Sequence, residues 1–266
     1  MLSDLRKSYD VNYAKNGFIQ FDAARTLIEF VNTTNVNKVL DIGCGSGLVT
    51  KLLHSSLKPK ILHAIDQSEV MIEQAKKNCQ VEGVRFENVA IESYESQEKY
   101  DAIISNSSFL WFSNFELALR NIKCALADEG EFYIQTSYTH RWCPEFIDIV
   151  EEIKSHNEDI REMFSYHQFP CFYLDNEQEY SSFFHSHGLA LQRFMAKDFE
   201  YELSAEDGLK VFNSGPIKAY ADPKYFTKQV DKQCMSKFYD LVAEKIYGYR
   251  SIKITYPRAF MLVKKL

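Results

Sequence analysis

The chain has 266 residues, 45% hydrophobic and 26% charged, with 31 Lys plus Arg against 37 Asp plus Glu for a net charge of −6. These values belong to a globular chain with enough apolar material for a core, and they exclude a disordered or fibrous one. The acidic balance offers no general electrostatic footprint for nucleic acid or anionic lipid, so neither nucleic acid nor membrane is expected as a partner.

From about residue 18 to 136, short β-rich runs alternate with amphipathic stretches. Ala24, Leu27, Ile28 and Val31 recur at helical spacing and predict an opening helix. Lys38-Val-Leu-Asp is a compact apolar run that ends at a carboxylate and a glycine cluster, and reads as a buried strand. Leu48, Val49, Leu52 and Leu53 resume helical spacing, and Ile61 to Asp66 is a second strand after the turn at Pro59. Ser68 is the expected N-cap of the next helix, with Ile72, Ala75 and Cys79 on one face. Val84-Arg-Phe predicts a third strand and Tyr100 to Ser105 a fourth. Phe115, Leu119, Ile122 and Leu126 stripe a further helix, and Glu131 to Thr136 is the fifth strand. Such alternation means an α/β fold with a parallel sheet covered on both faces and ligands at the carboxyl ends of its strands.

After residue 137 the alternation stops. Residues 140–187 read as helical and irregular, with Pro144 and Pro170 as breakers. Leu189 to Leu203 predicts a sixth strand and Ile252 to Lys264 a long last one. A helical insertion at about 204–249, broken at Gly215-Pro216 and Asp222-Pro223, separates them. We expect a single domain over 1–266 with a helical cap from about 140–187 and 204–249. The 16 Tyr and 20 Phe are frequent after residue 138, which fits either an aromatic-walled enclosure or an aromatic-rich core. The six cysteines form no C-x-x-C pair, so no zinc knuckle or redox dithiol is expected. The longest apolar runs, such as Ala102 to Ile104, are too short to span a bilayer, and the opening Met1-Leu-Ser-Asp-Leu-Arg-Lys is mixed and polar. The cytoplasm is the expected compartment.

The most informative segment is Val39-Leu-Asp-Ile-Gly-Cys-Gly-Ser-Gly47. Gly43, Gly45 and Gly47 allow a sharp turn after a strand and a close backbone approach to a ligand. The dinucleotide fingerprint needs a third glycine where this chain has Leu48, and no lysine follows as in a phosphate-binding loop. Asp41 stands just ahead of the glycines, where an anion suits a ligand bearing an ammonium group. Asp66 lies at the carboxyl end of the second strand, where a carboxylate accepts both hydroxyls of a ribose. A glycine loop, an amino-binding acid and a ribose-binding acid together describe S-adenosylmethionine.

Val39 to Gly47, Ala64-Ile-Asp66 and Tyr100 to Asn106 resemble three motifs of the class I S-adenosylmethionine-dependent methyltransferases over residues 18–137. The resemblance implies a doubly wound, Rossmann-like sheet of seven strands in the order 3-2-1-4-5-7-6, the seventh antiparallel. An N-terminal helical lid is expected as well, for which Tyr9 and Tyr13 are candidates. It places Asp66 and Gln67 at the ribose, Met71 against adenine and Asn106 beside the methionine moiety. Ala90 and Ile91 border adenine in Asn88-Val-Ala-Ile-Glu92. The family commonly carries Asp where this chain has Ala90, so either Glu92 or backbone must replace it.

A carboxylate acceptor is ionised at pH 7 and needs no general base, whereas an amine, phenol or carbon acceptor does. The N/D-P-P-Y/F loop of nucleic-acid and protein amine methylation is replaced here by Asn106-Ser-Ser-Phe-Leu-Trp111. Trp111 offers a neutral N–H donor beyond the fourth strand, and Gln20 offers a second at the head of the first helix. In juvenile-hormone-acid and plant carboxyl methyltransferases a Gln and a Trp at comparable places tether the substrate carboxylate. The whole chain is also similar to trans-aconitate and malonyl-carrier-protein methyltransferases, with Tyr256-Pro-Arg-Ala-Phe-Met-Leu-Val resembling their closing strand. The expected function is thus methylation of the carboxylate of a small or carrier-bound acid. Methylation of an amine, phenol or carbon, and non-catalytic S-adenosylmethionine binding, are the alternatives.

Lesser candidates complete the reading. His185 and His187 sit at i and i+2 and point apart on a helix, which speaks against a metal site. Arg141 is a candidate for a second carboxylate of a diacid, and Arg258 reads as a strand-facing charge.

Overall fold

The computed structural model describes residues 18–31 and 36–266. Its sheet contains β1 (Lys38–Ile42), β2 (Ile61–Asp66), β3 (Val84–Asn88), β4 (Tyr100–Asn106), β5 (Leu126–Ser137), β6 (Leu189–Ser204) and β7 (Ser251–Lys265). The strand order is β3-β2-β1-β4-β5-β7-β6. Strands β1 to β5 pair in parallel and β7 runs antiparallel to β5. This is the order, with the antiparallel seventh strand, that the methyltransferase resemblance implies. The central strands are apolar throughout because both faces are covered. Leu40, Ile103, Phe132 and Val263 fall in one register row and all are fully buried.

The helices α1 (Phe18–Phe30), α2 (Leu48–Leu57), α3 (Glu69–Asn78) and α4 (Phe115–Ala125) follow the expected alternation. Ser68 caps α3 by accepting from the Met71 amide, as expected, and Asn114 caps α4 by accepting from Leu117. Between β3 and β4, by contrast, there is only a 3-10 turn at Ile91–Ser93.

Two expectations are corrected. β5 begins at Leu126, five residues before Glu131, because Tyr100 pairs with Leu126 and the register then jumps so that Ala102 pairs with Glu131. Gly130 permits that bulge, since a Cβ there would lie 2.8 Å from the Tyr100 carbonyl oxygen. Pro144 does not break a helix but begins α5 (Pro144–His156), where its missing N–H is not needed. The helices α6 (Glu158–Ser165) and α7 (Glu177–Ser186) follow, and α8 (Ala205–Ser214), α9 (Pro216–Ala221) and α10 (Lys232–Tyr247) occupy the last insertion.

The described residues fall into two compact units. One holds β1 to β5 with part of β6 and of β7 and comprises 18–140, 172–197 and 258–266; the other comprises 141–171 and 198–257 and is largely helical. In the helical unit the aromatic surplus packs on itself. Trp142 stacks on Phe169 with ring centroids 6.3 Å apart, and Phe164 meets Phe238 edge-on at 4.9 Å. Phe146 and Phe212 pack in the same way at 5.2 Å, so these rings form a core. No helix among the described residues is long and apolar enough to cross a membrane.

Candidate functional site

The glycine loop leaves β1 at Ile42, and Gly43, Gly45 and Gly47 all adopt positive φ, at 70°, 54° and 78°. The amides of Gly43 and Cys44 both donate to the Ile65 carbonyl, at 2.8 and 3.0 Å, which ties the loop to β2. At position 43 a side chain has no room: a Cβ would lie 2.3 Å from the Cβ of Ser108. Ser108 comes this close because its hydroxyl donates to the Ile42 carbonyl at 2.6 Å and receives from Ser105 at 2.7 Å. These contacts lock the turn after β4 against the turn after β1.

Asp66, half-buried at the end of β2, joins this loop to α3. Its Oδ2 accepts from the Gly45 amide at 2.9 Å and its Oδ1 from the Ser68 amide at 2.8 Å. Asp41 is fully buried, and its Oδ2 accepts from the Thr50 hydroxyl of α2 at 2.7 Å. Burial, with a further contribution from the Asp66 charge, pushes the Asp41 carboxyl up to about 7 against the opposing Thr50 hydrogen bond. Near neutrality it is therefore poised between charged and neutral, and a cation beside it would draw off its proton.

At the end of β4, Asn106 is buried and its Nδ2 donates to the backbone carbonyl of Gln20 in α1 at 3.2 Å. The side-chain oxygens of both residues, Gln20 Oε1 and Asn106 Oδ1, are buried without a hydrogen-bond donor. Two orphaned acceptors, on residues that the Asn106–Gln20 backbone bond brings together, are what an N–H-bearing ligand would satisfy. Ser107, next in the chain, holds a left-handed φ of 58°. It is kept there by its amide donating to the Gln135 carbonyl at 2.9 Å and its hydroxyl donating to Gln135 Oε1 at 2.6 Å. The 3-10 turn Phe109–Trp111 follows, and the half-buried Trp111 donates its amide to the Ser108 carbonyl at 2.9 Å.

The remaining candidates line the ends of β2 and β3. Met71 and Ile91 are buried, Gln67 is exposed and Ala90 is half-buried. Val89 donates its amide to the Asp66 carbonyl at 3.1 Å, which holds this segment beside β2. Glu92 turns away toward the start of α4: its Oε1 accepts from the Ser113 amide and hydroxyl at 2.7 and 2.9 Å. Of the two replacements open for an acid at position 90, the side chain of Glu92 is thus committed elsewhere.

The lesser candidates have partners of their own. Arg141 is half-exposed and pairs with Asp148 at 2.9 Å. His187 lies 3.7 Å from Glu116, and no group of His, Cys, Asp or Glu among the described residues is arranged for a metal ion. Tyr9 and Tyr13 lie outside the described residues. Arg258 is a charge on strand β7, as expected. It is 5% exposed, because antiparallel pairing sets it opposite Ser137 at the end of β5, where its Nη1 donates to the Ser137 hydroxyl at 2.7 Å.

Sequence reasoning missed Thr50 and Ser108, both of which hold site residues. The spacing Ser105-x-x-Ser108 directly after a strand was the available signal for the second; nothing local marks the first.

A protein-family profile described as a methyltransferase domain matches residues 34–202. A malonyl-[acyl-carrier protein] O-methyltransferase of Acetivibrio thermocellus is 33% identical over 132 residues, which is 49% of this chain and 45% of that protein. The chain thus spans about half the length of the curated relatives it matches. Among solved structures, the YcgJ protein from Bacillus subtilis superposes with a TM-score of 0.58 at 16% identity, covering 92% of this chain and 99% of that one. An S-adenosylmethionine-dependent methyltransferase from Geobacter sulfurreducens, solved with S-adenosyl-L-homocysteine, gives 0.55 at 14% identity, with 92% and 91% covered. The chain belongs to the methyltransferase domain family, and its sheet has the strand order of the class I S-adenosylmethionine-dependent methyltransferase fold.

Proposed function

We propose that the protein methylates the carboxylate of a small or carrier-bound organic acid, releasing the methyl ester and S-adenosylhomocysteine. The observation that carries this reading is the end of β4. Ser108 pins the Asn106–Trp111 turn against the glycine loop, and Asn106 reaches the backbone of Gln20, so both candidate tether residues flank one strand end. The malonyl-carrier-protein relatives support a carboxylate as acceptor.

The residues fit the cofactor. Gln20 Oε1 and Asn106 Oδ1 are buried acceptors in want of N–H donors, as an α-ammonium group would supply, with Asp41 behind the loop as the compensating charge. Asp66 would take the ribose hydroxyls, with Gln67 beside it. Met71, Ala90 and Ile91 would bracket adenine, with backbone rather than Glu92 meeting its amino group. S-adenosylmethionine supplies an electrophilic methyl group for in-line displacement.

The protein's own task is alignment and exclusion of water. Trp111 would donate its indole N–H to one oxygen of the acceptor and Gln20 would donate its amide N–H₂. Neutral donors orient a carboxylate without neutralising it as an arginine would, and an anionic nucleophile needs no base to remove a proton.

A panel of carboxylic acids, read by S-adenosylhomocysteine release, tests the reading. The product should be hydrolysed by mild alkali with release of methanol, whereas an N-methyl or aryl ether product would survive. Trp111→Phe keeps the packing but deletes the N–H. It should lower turnover by about ten- to a hundredfold, the loss of one hydrogen bond to a charged group, with a much smaller effect on cofactor affinity. An alkali-stable product overturns the carboxylate acceptor. Full activity of Trp111→Phe with an alkali-labile product overturns only the tether.

A further inference from the structure

A second polar cluster lies in the sheet unit, where β3 and β4 are joined without a helix. His63, in the middle of β2, is 3% exposed. Its Nε2 lies 2.9 Å from Glu87 Oε2 on β3. Its Nδ1 lies 3.0 Å from the hydroxyls of both Tyr94 and Tyr100, which are 2.7 Å from each other. Arg85 Nη2 stands 3.3 Å from that nitrogen and 3.3 Å from the Tyr100 oxygen, and it pairs with Glu98 at 2.5 Å. An open cavity of about 590 Å³ is lined in part by His63, Arg85, Glu87, Tyr94 and Glu98.

The proton positions follow from the partners. A carboxylate accepts, so with Glu87 as its partner Nε2 carries the ring hydrogen and Nδ1 is bare. One tyrosine hydroxyl donates to Nδ1 and the other donates to the oxygen of the first. Through one ring nitrogen, β2, the segment after β3 and β4 are therefore joined. A crossover between parallel strands is ordinarily secured by the apolar face of a helix. Here the stretch from Val89 to Lys99 has only the short turn at Ile91–Ser93, and hydroxyl groups hold part of it.

We propose that His63 is a positioning residue: while neutral it clamps the segment 89–98 onto β2, and through that segment it sets Ala90 and Ile91 beside the cofactor. The second half of this statement rests on Ala90 and Ile91 bordering adenine. A proton on Nδ1 removes the acceptor that organises the two tyrosines and sets a second cation 3.3 Å from Arg85. The charged and titratable groups around the ring are Arg85 and Glu87 from β3, Tyr94 and Glu98 from the segment, Tyr100 from β4, and Lys38 of β1, which reaches Glu98 at 3.1 Å. Burial first, and Arg85 second, hold His63 below the ordinary histidine range against the pull of Glu87 and Glu98. Because the folded value lies below the unfolded one, the clamp is complete above the unfolded value and is lost as pH falls toward the folded one.

The test reads the His63 ring by NMR titration, and amide exchange of 89–98, in the cofactor-free protein between about pH 5 and 8. Glu87 and Arg85 have side chains 52% and 49% exposed, so Glu87→Gln and Arg85→Gln leave the core intact. Exchange in 89–98 should rise several-fold as the ring takes its proton. The midpoint should fall in Glu87→Gln and rise in Arg85→Gln, each by about half a pH unit or more. A shift in the same direction in both variants, or exchange that ignores the titration, overturns the clamp. Calorimetry with S-adenosylhomocysteine tests the coupling: affinity should drop more between about pH 7 and 5.5 in the parent than in His63→Gln, whose amide does not titrate. The Asp41 carboxyl titrates in both proteins alike, so an equal drop overturns the coupling. No binding at any pH overturns the reading of the cofactor site instead, and the exchange data judge the clamp without it.

Discussion

Asp41 is a carboxyl group enclosed by protein on every side, with a threonine hydroxyl as its recorded partner. Its folded value, about 7, lies above the ordinary aspartate value of 3.8. The folded state therefore holds a proton that the unfolded chain has released, and stability is lost as pH rises from about 4 through 7 and then levels off. Asp41→Asn removes this penalty. The variant should melt higher than the parent at pH 8, by several kcal/mol at most, and close to the parent near pH 4, as thermal denaturation at the two pH values would show. It should also bind S-adenosylhomocysteine more weakly, which would explain why an unfavourable group stands there. Higher stability at pH 4 but not at pH 8 would reverse the sign and refute this account. Asp66 differs, since each of its oxygens already accepts a backbone amide. Asp66→Ala should lower both the melting temperature and the affinity, each lost charge-assisted bond being worth about 1.5 to 3 kcal/mol. Unchanged calorimetric affinity would remove Asp66 from the site.

Among the elements, the turns after β1 and β4 behave as one piece because Ser108 occupies the space beside Gly43. Gly43→Ala combines a positive φ with a methyl group overlapping Ser108, and should destabilise by about 2 to 4 kcal/mol. Adding Ser108→Gly removes the overlap and leaves about 1 to 2 kcal/mol of backbone strain. Denaturant melts of the two variants decide the point: additive losses would mean that the two turns do not press on one another. The glycine pattern was legible in the chain, as were Ser68 capping α3 and the register-bearing runs of β1, β2 and β4. The bond from Ser108 to Ile42 was not, because it reaches the backbone of a strand 66 residues away.

At the scale of the whole molecule, the predicted site gathers at the carboxyl ends of β1, β2 and β4 within the sheet unit. Amide exchange with S-adenosylhomocysteine should therefore show protection concentrated in 41–50, 64–71, 88–93 and 104–111. Protection confined to the helical unit would place the ligand elsewhere.

Periodicity and punctuation in the sequence determined the seven strands, most of the helices and the glycine loop. These are consequences of local sterics and of which face each residue must bury, and they survive without knowledge of any partner. Even the antiparallel last strand came through the methyltransferase resemblance carried by short motifs. The tertiary structure alone decided what the polar groups inside the fold do. It buried Arg258 against Ser137, set Thr50 on Asp41, turned Glu92 toward Ser113 and moved the start of β5 back to Leu126 across a bulge. Each of those outcomes depends on the register between strands or on a contact between distant segments. The energy of a buried charge or hydroxyl is set by the group that reaches it, and the one-dimensional pattern does not carry that information.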